Sequence, residues 1–172
     1  VLRAFRDTYR LLARDRCIAY VSMFQNWGPQ AGATVYHPHY QVIALPVVPL
    51  HVCHSIVRSA LYGRRRRRCV HCDLLAAERV SGERVVARVP GATAVTPVAP
   101  RKPFEVRIFP DRHVSSIVDM TDRDLRGVAM ALQAVLRRLR RALGDPDYNF
   151  FIHTAPLAPG AGNRWYHWHI EI

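Results

Sequence analysis

Apolar side chains recur at helical spacing in two long stretches of the chain. Between residues 2 and 13 they fall every three or four positions with arginines between them, which predicts an amphipathic helix. A second helix is predicted from Thr121 to Leu143, because the Thr121 hydroxyl and the aspartates that follow it can satisfy free N–H groups of a first turn. Gly144 then gives this helix an end.

Between these helices the apolar residues form short runs bounded by glycine and proline, as is typical of strands. We predict strands at residues 17–26, 39–49, 82–89, 92–95, 104–110, 148–156 and 164–172, and short helices near residues 56–62 and 74–78. This mixture of helices and strands predicts an α+β fold.

The two ends of the chain repeat one order of elements. A helix, a strand, a Gly/Pro loop and a strand with a His-x-His sequence occur at residues 2–46 and again at residues 121–172. His37-Pro38-His39 and His167-Trp168-His169 take matching places in the two copies. We therefore expect the last part of one repeat at residues 1–49, a basic connector at 50–68 and nearly all of a second repeat at 69–172.

The net charge is strongly positive, at +12 from 25 Lys+Arg against 13 Asp+Glu in 172 residues. Such a charge can indicate an acidic partner such as nucleic acid. Lys102 is the single lysine, however, and an arginine bias of this kind also arises from codon composition. The consecutive arginines Arg64–Arg68 repel one another, and such runs are usually solvated. We expect a solvated loop there and no nucleic-acid partner.

The distribution of apolar residues and cysteines suggests where the protein works. No apolar run approaches the about 18–20 residues of a membrane span, and the N-terminal stretch alternates charged with apolar residues instead of forming a signal-peptide core. The four cysteines are too few and too unevenly spaced for a disulfide scaffold. The sequence therefore predicts a protein of a reducing compartment, cytoplasmic and without a membrane partner.

Polar side chains that could take part in catalysis or binding cluster near the second predicted strand. Alternate residues of a strand share a face, so His37, His39 and Gln41 should point the same way. The preceding Gly32-Ala33-Thr34 lies in a loop where glycine lets backbone N–H groups approach an anion. A partly neutral imidazole beside such donors suits nucleophilic attack on phosphorus.

The run FQNWGPQAGATVYHPHYQ at residues 24–41 resembles the active-site signature of the galactose-1-phosphate uridylyltransferase family, the transferase branch of the histidine-triad superfamily. The pattern F-x-N-x-G-x-x-x-G-x-[ST]-x-x-H-P-H-x-Q is matched at every fixed position. The downstream chain resembles the second repeat of the same family. The resemblance implies histidine-triad-like antiparallel half-barrel sheets with flanking helices.

The resemblance also assigns roles. It implies that His39 is the nucleophile that carries UMP as a covalent uridylyl-histidine, and that Gln41 holds the phosphoryl oxygens. Hydrolytic relatives carry a third histidine at the place of Gln41, so glutamine favours transfer. The positions that match the nucleotide-binding loop are Asn26, Gly32, Ala33 and Thr34.

The implied reaction moves UMP between UDP-glucose and galactose 1-phosphate by a ping-pong route. An adenylyl enzyme of the ADP-glucose phosphorylase type is the alternative, since the residues that read the base lie outside this sequence in the family. A zinc-stabilised nucleotide-binding module without catalysis is a third hypothesis. The resemblance further implies a homodimer, and the register suggests that these 172 residues are a fragment of a longer chain.

Two metal sites are suggested. In the family, the position of His37 holds a structural zinc whose other ligands precede the residues present here, so His37 supplies one ligand of an incomplete site. A fuller set consists of two thiolates and two imidazoles, a mixture typical of a closed structural Zn²⁺ site. Its members are Cys69, Cys72, His113 and His167. Redox-active or unliganded cysteines are the alternative.

Two further histidines are near these ligands in the sequence pattern. His71, between the two cysteines, is expected to face solvent. The resemblance implies that His153 matches a histidine that binds iron in some relatives.

Overall fold

The computed structural model describes residues 1–157, 160 and 163–172. The described residues form helices α1 (Leu2–Leu12), α2 (Leu50–Arg66), α3 (Val70–Ser81) and α4 (Asp122–Leu143). The strands are β1 (Tyr20–Trp27), β2 (Gln41–Leu45), β3 (Val85–Val89), β4 (Ala92–Val95), β5 (Arg107–Pro110), β6 (Tyr148–His153) and β7 (His169–Glu171). Short 3-10 turns lie at Pro29–Ala31, Ile117–Asp119 and Asn163–Trp165.

All seven strands join in one antiparallel sheet with the order β2-β1-β6-β7-β5-β4-β3. The α+β class predicted from the sequence is confirmed. Strand β1 of the first predicted repeat pairs directly with β6 of the second, so the two repeats share a continuous sheet. The division of the chain at residues 49 and 69 stays a prediction.

The two faces of the sheet are covered differently. Helices α1 and α4 lie on one face, where Phe5 and Val128 join a large apolar core with Met23 and Ile152 of the central strands. On the opposite face α3 packs Leu75 against the β4–β5 end of the sheet. This second face also carries the side chains with candidate chemistry.

Helix α4 begins and ends where the sequence places it. The Thr121 hydroxyl accepts a hydrogen bond from the Asp124 N–H, and the Asp124 carboxylate accepts one from the Thr121 N–H. This reciprocal capping box satisfies two donors of the first turn. Gly144, with φ of 85°, follows the last turn.

Several predicted strands are shorter in the structure. The strand predicted at residues 39–49 is β2, and it pairs with β1 only from Gln41 to Leu45. Pro38 and Pro46 flank it and have no N–H group to donate to a ladder, which explains its short length. The strand predicted from residue 164 begins only at His169, because Asn163–Trp165 form a 3-10 turn.

The connector differs most from its prediction. Residues 50–66 are the continuous helix α2, and Arg64–Arg66 form its last turn instead of a loop. Arginines suit the negative end of a helix dipole, which offsets part of their mutual repulsion. Arg67, at φ of 57°, ends the helix by donating its N–H to the Gly63 carbonyl. The predicted exposure of Arg64–Arg68 is confirmed.

Helix α2 can pack closely at Gly63 because that residue has no side chain. A Cβ atom added there would lie 2.2 Å from the indole ring of Trp165. The guanidinium of Arg164 covers Trp165 at 4.6 Å from the ring centre. The contact between Gly63 and Trp165 joins α2 to the segment immediately before the second His-x-His sequence.

The substitution Gly63→Ala is therefore expected to destabilise the protein, although alanine is the better helix former. Overpacking against the Trp165 ring costs about 1–3 kcal/mol, which exceeds the roughly 1 kcal/mol gained in helix propensity. Thermal unfolding measures the change, with Val57→Ala on the exposed side of α2 as the control. A variant that melts above the parent would contradict this packing argument.

The described part of the chain contains no helix that is long and apolar enough to cross a membrane.

Candidate active site and metal centre

A tight loop follows β1 and lies at the start of the candidate active site. Gly28 has φ of 84°, and the Asp147 carboxylate fills the space that a Cβ atom at Gly28 would occupy. The same carboxylate accepts a hydrogen bond of 2.5 Å from the Gln30 N–H. Gly32 is also left-handed, at φ of 83°. Two glycines in a conformation that L side chains rarely adopt explain why the loop needs them at these positions.

The backbone donors of this loop are largely used within it. The Gly32 N–H donates to the Pro29 carbonyl at 3.0 Å, and the Ala33 N–H donates to the Gly28 carbonyl at 3.1 Å. These two N–H groups are therefore engaged within the turn, and the assignment of Gly32 and Ala33 to phosphate binding stays a prediction. The left-handed Gly32 thus closes the turn on itself with two of its backbone donors.

Asn26 and Gln41 lie on one face of the sheet. Gln41 pairs with Phe24, and Asn26 follows two residues after Phe24 on β1. Directly paired residues point to the same side, as do residues two apart in a strand. This face is opposite to the one on which Met23 enters the core under α1 and α4.

Asn26 is held by a neighbour that sequence reasoning missed. Asn149 lies opposite Asn26 in the β1–β6 ladder. Its Nδ2 donates to Asn26 Oδ1 and to the Ala31 carbonyl, each at 2.7 Å. The available signal was an amide at the start of a strand that is otherwise mostly aromatic, YNFFIH.

His39 is half-buried just before β2. Its Nδ1 lies 2.8 Å from the His37 carbonyl oxygen. A carbonyl can only accept, so Nδ1 carries the hydrogen, and the neutral ring keeps its lone pair on Nε2. Residues 37–40 are not part of a strand, so the backbone of His37 fixes the ring of His39, and strand alternation does not.

The predicted zinc ligands come together from three parts of the chain. Cys69 caps α3, Cys72 lies in its first turn, His113 follows β5 and His167 precedes β7. Their four ligand atoms all lie within 4.8 Å of one another. Cys72 Sγ is 3.3 Å from Nδ1 of His113 and 3.6 Å from Nδ1 of His167. Tetrahedral bonds of about 2.0–2.3 Å place neighbouring ligand atoms roughly 3.3–3.8 Å apart, so the donor set fits a zinc ion.

A backbone carbonyl oxygen orients each imidazole of this cluster through its Nε2 atom. His113 Nε2 lies 2.9 Å from the Arg164 carbonyl oxygen, and His167 Nε2 lies 3.0 Å from the Pro110 carbonyl oxygen. These bonds place the hydrogen on Nε2 and leave the Nδ1 lone pair of each ring facing the thiols. Hydrogen bonds from Cys72, His113 and His167 lower the pKa of the Cys69 thiol well below its usual value.

His37 lies away from this cluster. It is exposed, and among the residues that the structure describes it belongs to no group of three or more metal-ligating side chains.

The histidines near the zinc ligands form a stack that was not predicted. His71 lies against Phe109 and against His169, with ring centres 5.0 and 5.4 Å apart. The side chain of His71 is half-buried between these two rings, so the expectation that it faces solvent is wrong. Burial lowers its pKa to about 4. The His71 ring contacts Phe109 because α3, which carries His71, packs over β5.

The second His-x-His sequence is packed inside the protein. His169 is buried and stacks on His153 with ring centres 4.8 Å apart, and burial lowers the pKa of both rings. His153, His169 and Glu171 form a second group of potential ligands. The Glu171 carboxylate, however, pairs with Arg101 and Arg107. The contrast with the half-exposed His39 favours a structural role for this copy.

Comparison with known proteins agrees with this geometry. Residues 56–172 match the family described as galactose-1-phosphate uridyl transferase, C-terminal domain. The chain is 31% identical to ADP-glucose phosphorylase of Arabidopsis thaliana over 173 aligned positions, which cover 100% of this chain and 48% of that protein. It is 28% identical to galactose-1-phosphate uridylyltransferase of Thermotoga maritima, with 96% of this chain and 52% of that protein covered.

Solved structures show the same likeness. The crystal structure of the Arabidopsis thaliana ADP-glucose phosphorylase with bound ADP-glucose superposes with a TM-score of 0.87 at 30% identity, covering 99% of this chain and 53% of that one. A uridylyltransferase structure gives a TM-score of 0.88 at 32% identity, covering 99% and 53%. The chain thus spans about half the length of the relatives it matches. With the family match over residues 56–172 and the seven-stranded sheet, these likenesses establish that the chain belongs to the galactose-1-phosphate uridylyltransferase family of nucleotidyltransferases.

Proposed function

We propose that the chain carries the catalytic motif of a nucleotidyltransferase that acts on a nucleoside diphosphate hexose through a covalent nucleotidyl-His39. The single observation that carries this proposal is the hydrogen bond between His39 Nδ1 and the His37 carbonyl oxygen. It leaves the lone pair of Nε2 for attack in the neutral ring.

In the first half-reaction, His39 Nε2 bonds to the α-phosphorus of the donor, and the bond from that phosphorus to the bridging oxygen breaks. The hexose 1-phosphate leaves with the electron pair of that bond. In the second half-reaction the phosphate oxygen of another hexose 1-phosphate attacks the same phosphorus and the bond to Nε2 breaks. The result is a ping-pong exchange in which the nucleotide is carried by the protein.

The charge on the phosphoryl oxygens calls for donors, and such stabilisation is usually the largest single contribution to this kind of catalysis. We assign it to the side-chain amides of Asn26 and Gln41, which share a sheet face, together with the Thr34 hydroxyl. Gly32 and Ala33 shape the loop, since their N–H groups already donate within it.

The family resemblance supports UDP-glucose as the donor of UMP and galactose 1-phosphate as the acceptor. An adenylyl donor is the second candidate, because ADP-glucose phosphorylase is among the relatives with about 30% identity and has been solved with ADP-glucose bound.

Incubation with UDP-glucose or ADP-glucose, each radioactive at the α-phosphorus, distinguishes the two candidates. We expect acid-labile label on His39 from UDP-glucose and its release by galactose 1-phosphate. Label from ADP-glucose alone would replace the uridylyl assignment with the adenylyl one. A chain that binds nucleotide and takes no label from either donor would instead be a binding module.

We also propose that Cys69, Cys72, His113 and His167 hold a structural zinc ion. The donor set and the two orienting carbonyl bonds support this assignment. When bound, the ion would tie α3 to the segments that follow β5 and precede β7. It takes no part in the transfer step, because all four candidate ligands belong to the protein and leave no open position for substrate.

A further inference from the structure

We propose that Asn149 is a positioning residue for nucleotidyl transfer, because it fixes which end of the Asn26 amide faces the substrate. This inference rests on the proposed function. Asn149 belongs to the second repeat, whose own His-x-His sequence is buried, so the proposal gives that repeat a task in the active site of the first.

The first step of the argument concerns the two hydrogens of the Asn149 amide. Nδ2 lies 2.7 Å from Asn26 Oδ1 and 2.7 Å from the Ala31 carbonyl oxygen. An NH₂ group has two hydrogens, so each acceptor takes one. The Ala31 carbonyl can only accept, and it therefore determines that the nitrogen of Asn149, and not its oxygen, faces the loop.

The second step carries this orientation to Asn26. Because Asn26 Oδ1 accepts from Asn149, the Asn26 NH₂ group is turned away from Asn149. It lies toward Gly32, with Nδ2 3.7 Å from the position that a Cβ atom at Gly32 would take. The Asn26 NH₂ group thus lies beside the turn next to which the proposed function places the phosphates.

The third step is that two backbone donors of the turn are already used. The N–H groups of Gly32 and Ala33 donate within the loop, so an Asn26 amide in the reverse orientation would present an acceptor where phosphoryl charge needs a donor. Since the two amides lie opposite each other in a continuous ladder, β6 sets this orientation before any ligand binds.

Asp147, the residue before β6, supports the loop independently. Its carboxylate accepts from the Gln30 N–H at 2.5 Å and lies where a side chain at Gly28 would be. Asp147 fixes the course of the backbone, whereas Asn149 fixes the direction of a side-chain amide. The two functions can therefore be separated by substitution.

The first experiment observes the orientation itself. In the ¹⁵N-labelled chain we expect nuclear Overhauser contacts between the Asn26 side-chain NH₂ protons and the Gly32 Hα protons. Asn149→Asp, which replaces the donor by an acceptor, should abolish these contacts because the Asn26 amide reverses. Contacts that persist in the variant would overturn the proposal, and this readout holds even if the parent chain transfers no nucleotide.

The second experiment measures labelling of His39 by the donor that labels the parent. Asn149→Asp and its neutral counterpart Asn149→Leu should each lower the rate constant of labelling about 100- to 1,000-fold, the scale of loss when one oriented donor is removed. A loss in Asn149→Asp alone would assign the effect to charge repulsion and reject the positioning role.

A double-mutant cycle completes the test. If Asn149 acts through Asn26, then Asn149→Leu should have little further effect in an Asn26→Ala background. If the double variant shows a loss in labelling rate equal to the product of the two single losses, the proposal is overturned. A parent chain that takes no label at all refutes the proposed function separately, and the orientation measurement then decides the placement of the amide alone.

Discussion

His39→Ala is expected to abolish covalent labelling of the chain and to lower nucleotidyl transfer by about 10⁴- to 10⁶-fold, the range seen when a nucleophile that acts within a catalytic unit is removed. The physical reason is that the lone pair on Nε2 becomes available through the bond from Nδ1 to the His37 carbonyl. His39 combines this fixed tautomer with partial exposure, and it lies two residues before Gln41, the first residue of β2.

His54→Ala provides the matched control, since it removes an exposed imidazole from α2, outside the proposed site. It should label like the parent. Transfer is measured with the radioactive donor and the site of label by mass spectrometry of peptides. Retention of label in His39→Ala, or label found on another residue, would contradict the assignment of the nucleophile.

The signature around His39 was recognisable because its chemistry constrains residues that are close in sequence. A left-handed turn needs glycine at Gly28 and Gly32, and a fixed imidazole needs a nearby carbonyl, here that of His37. Such local requirements leave a fixed spacing in the sequence. The capping box of Thr121 was predictable for the same reason, since both partners lie within one turn.

Contacts between distant segments left no such pattern. Asn149 and Asn26 are 123 residues apart, and only the β1–β6 pairing places them opposite each other. The helix predicted near residues 56–62 is part of the longer α2, Leu50–Arg66. Its full length was not predicted because the arginine run suggests repulsion, whereas the packing of Gly63 against Trp165 adds a tertiary contact to the helix. The partial burial of His71 likewise depends on the position of Phe109, because α3 carries His71 and β5 carries Phe109.

The metal centre is intermediate between these cases. The spacing of Cys69 and Cys72 within the first turn of α3 can be read from the sequence, but His113 and His167 join them only through the fold. The sequence could therefore suggest the ligand set, while the structure supplies the carbonyl groups that orient both rings.

Cys69→Ser is accordingly expected to remove about one zinc ion per chain and to lower the free energy of unfolding by roughly 4–5 kcal/mol, the scale of loss reached when a metal site is destroyed. Cys69 is buried, and its thiol is the ligand at the N-terminal end of α3. Without the ion, no positive charge would hold the remaining thiol and the two imidazoles of the cluster together, and the fold would lose this link.

Elemental analysis and thermal unfolding test this prediction together, with Cys17→Ser as the control because Cys17 is exposed and lies outside the cluster. A chelator should lower the melting temperature of the parent and of Cys17→Ser, and should have no further effect on Cys69→Ser. The chelator experiment separates loss of the ion from loss of thiol packing. If the Cys69 thiol only packs and binds no ion, the chelator should leave the melting temperature of every variant unchanged. A parent that contains no metal and melts unchanged in the chelator would assign Cys69 and Cys72 to the alternative of unliganded or redox-active thiols.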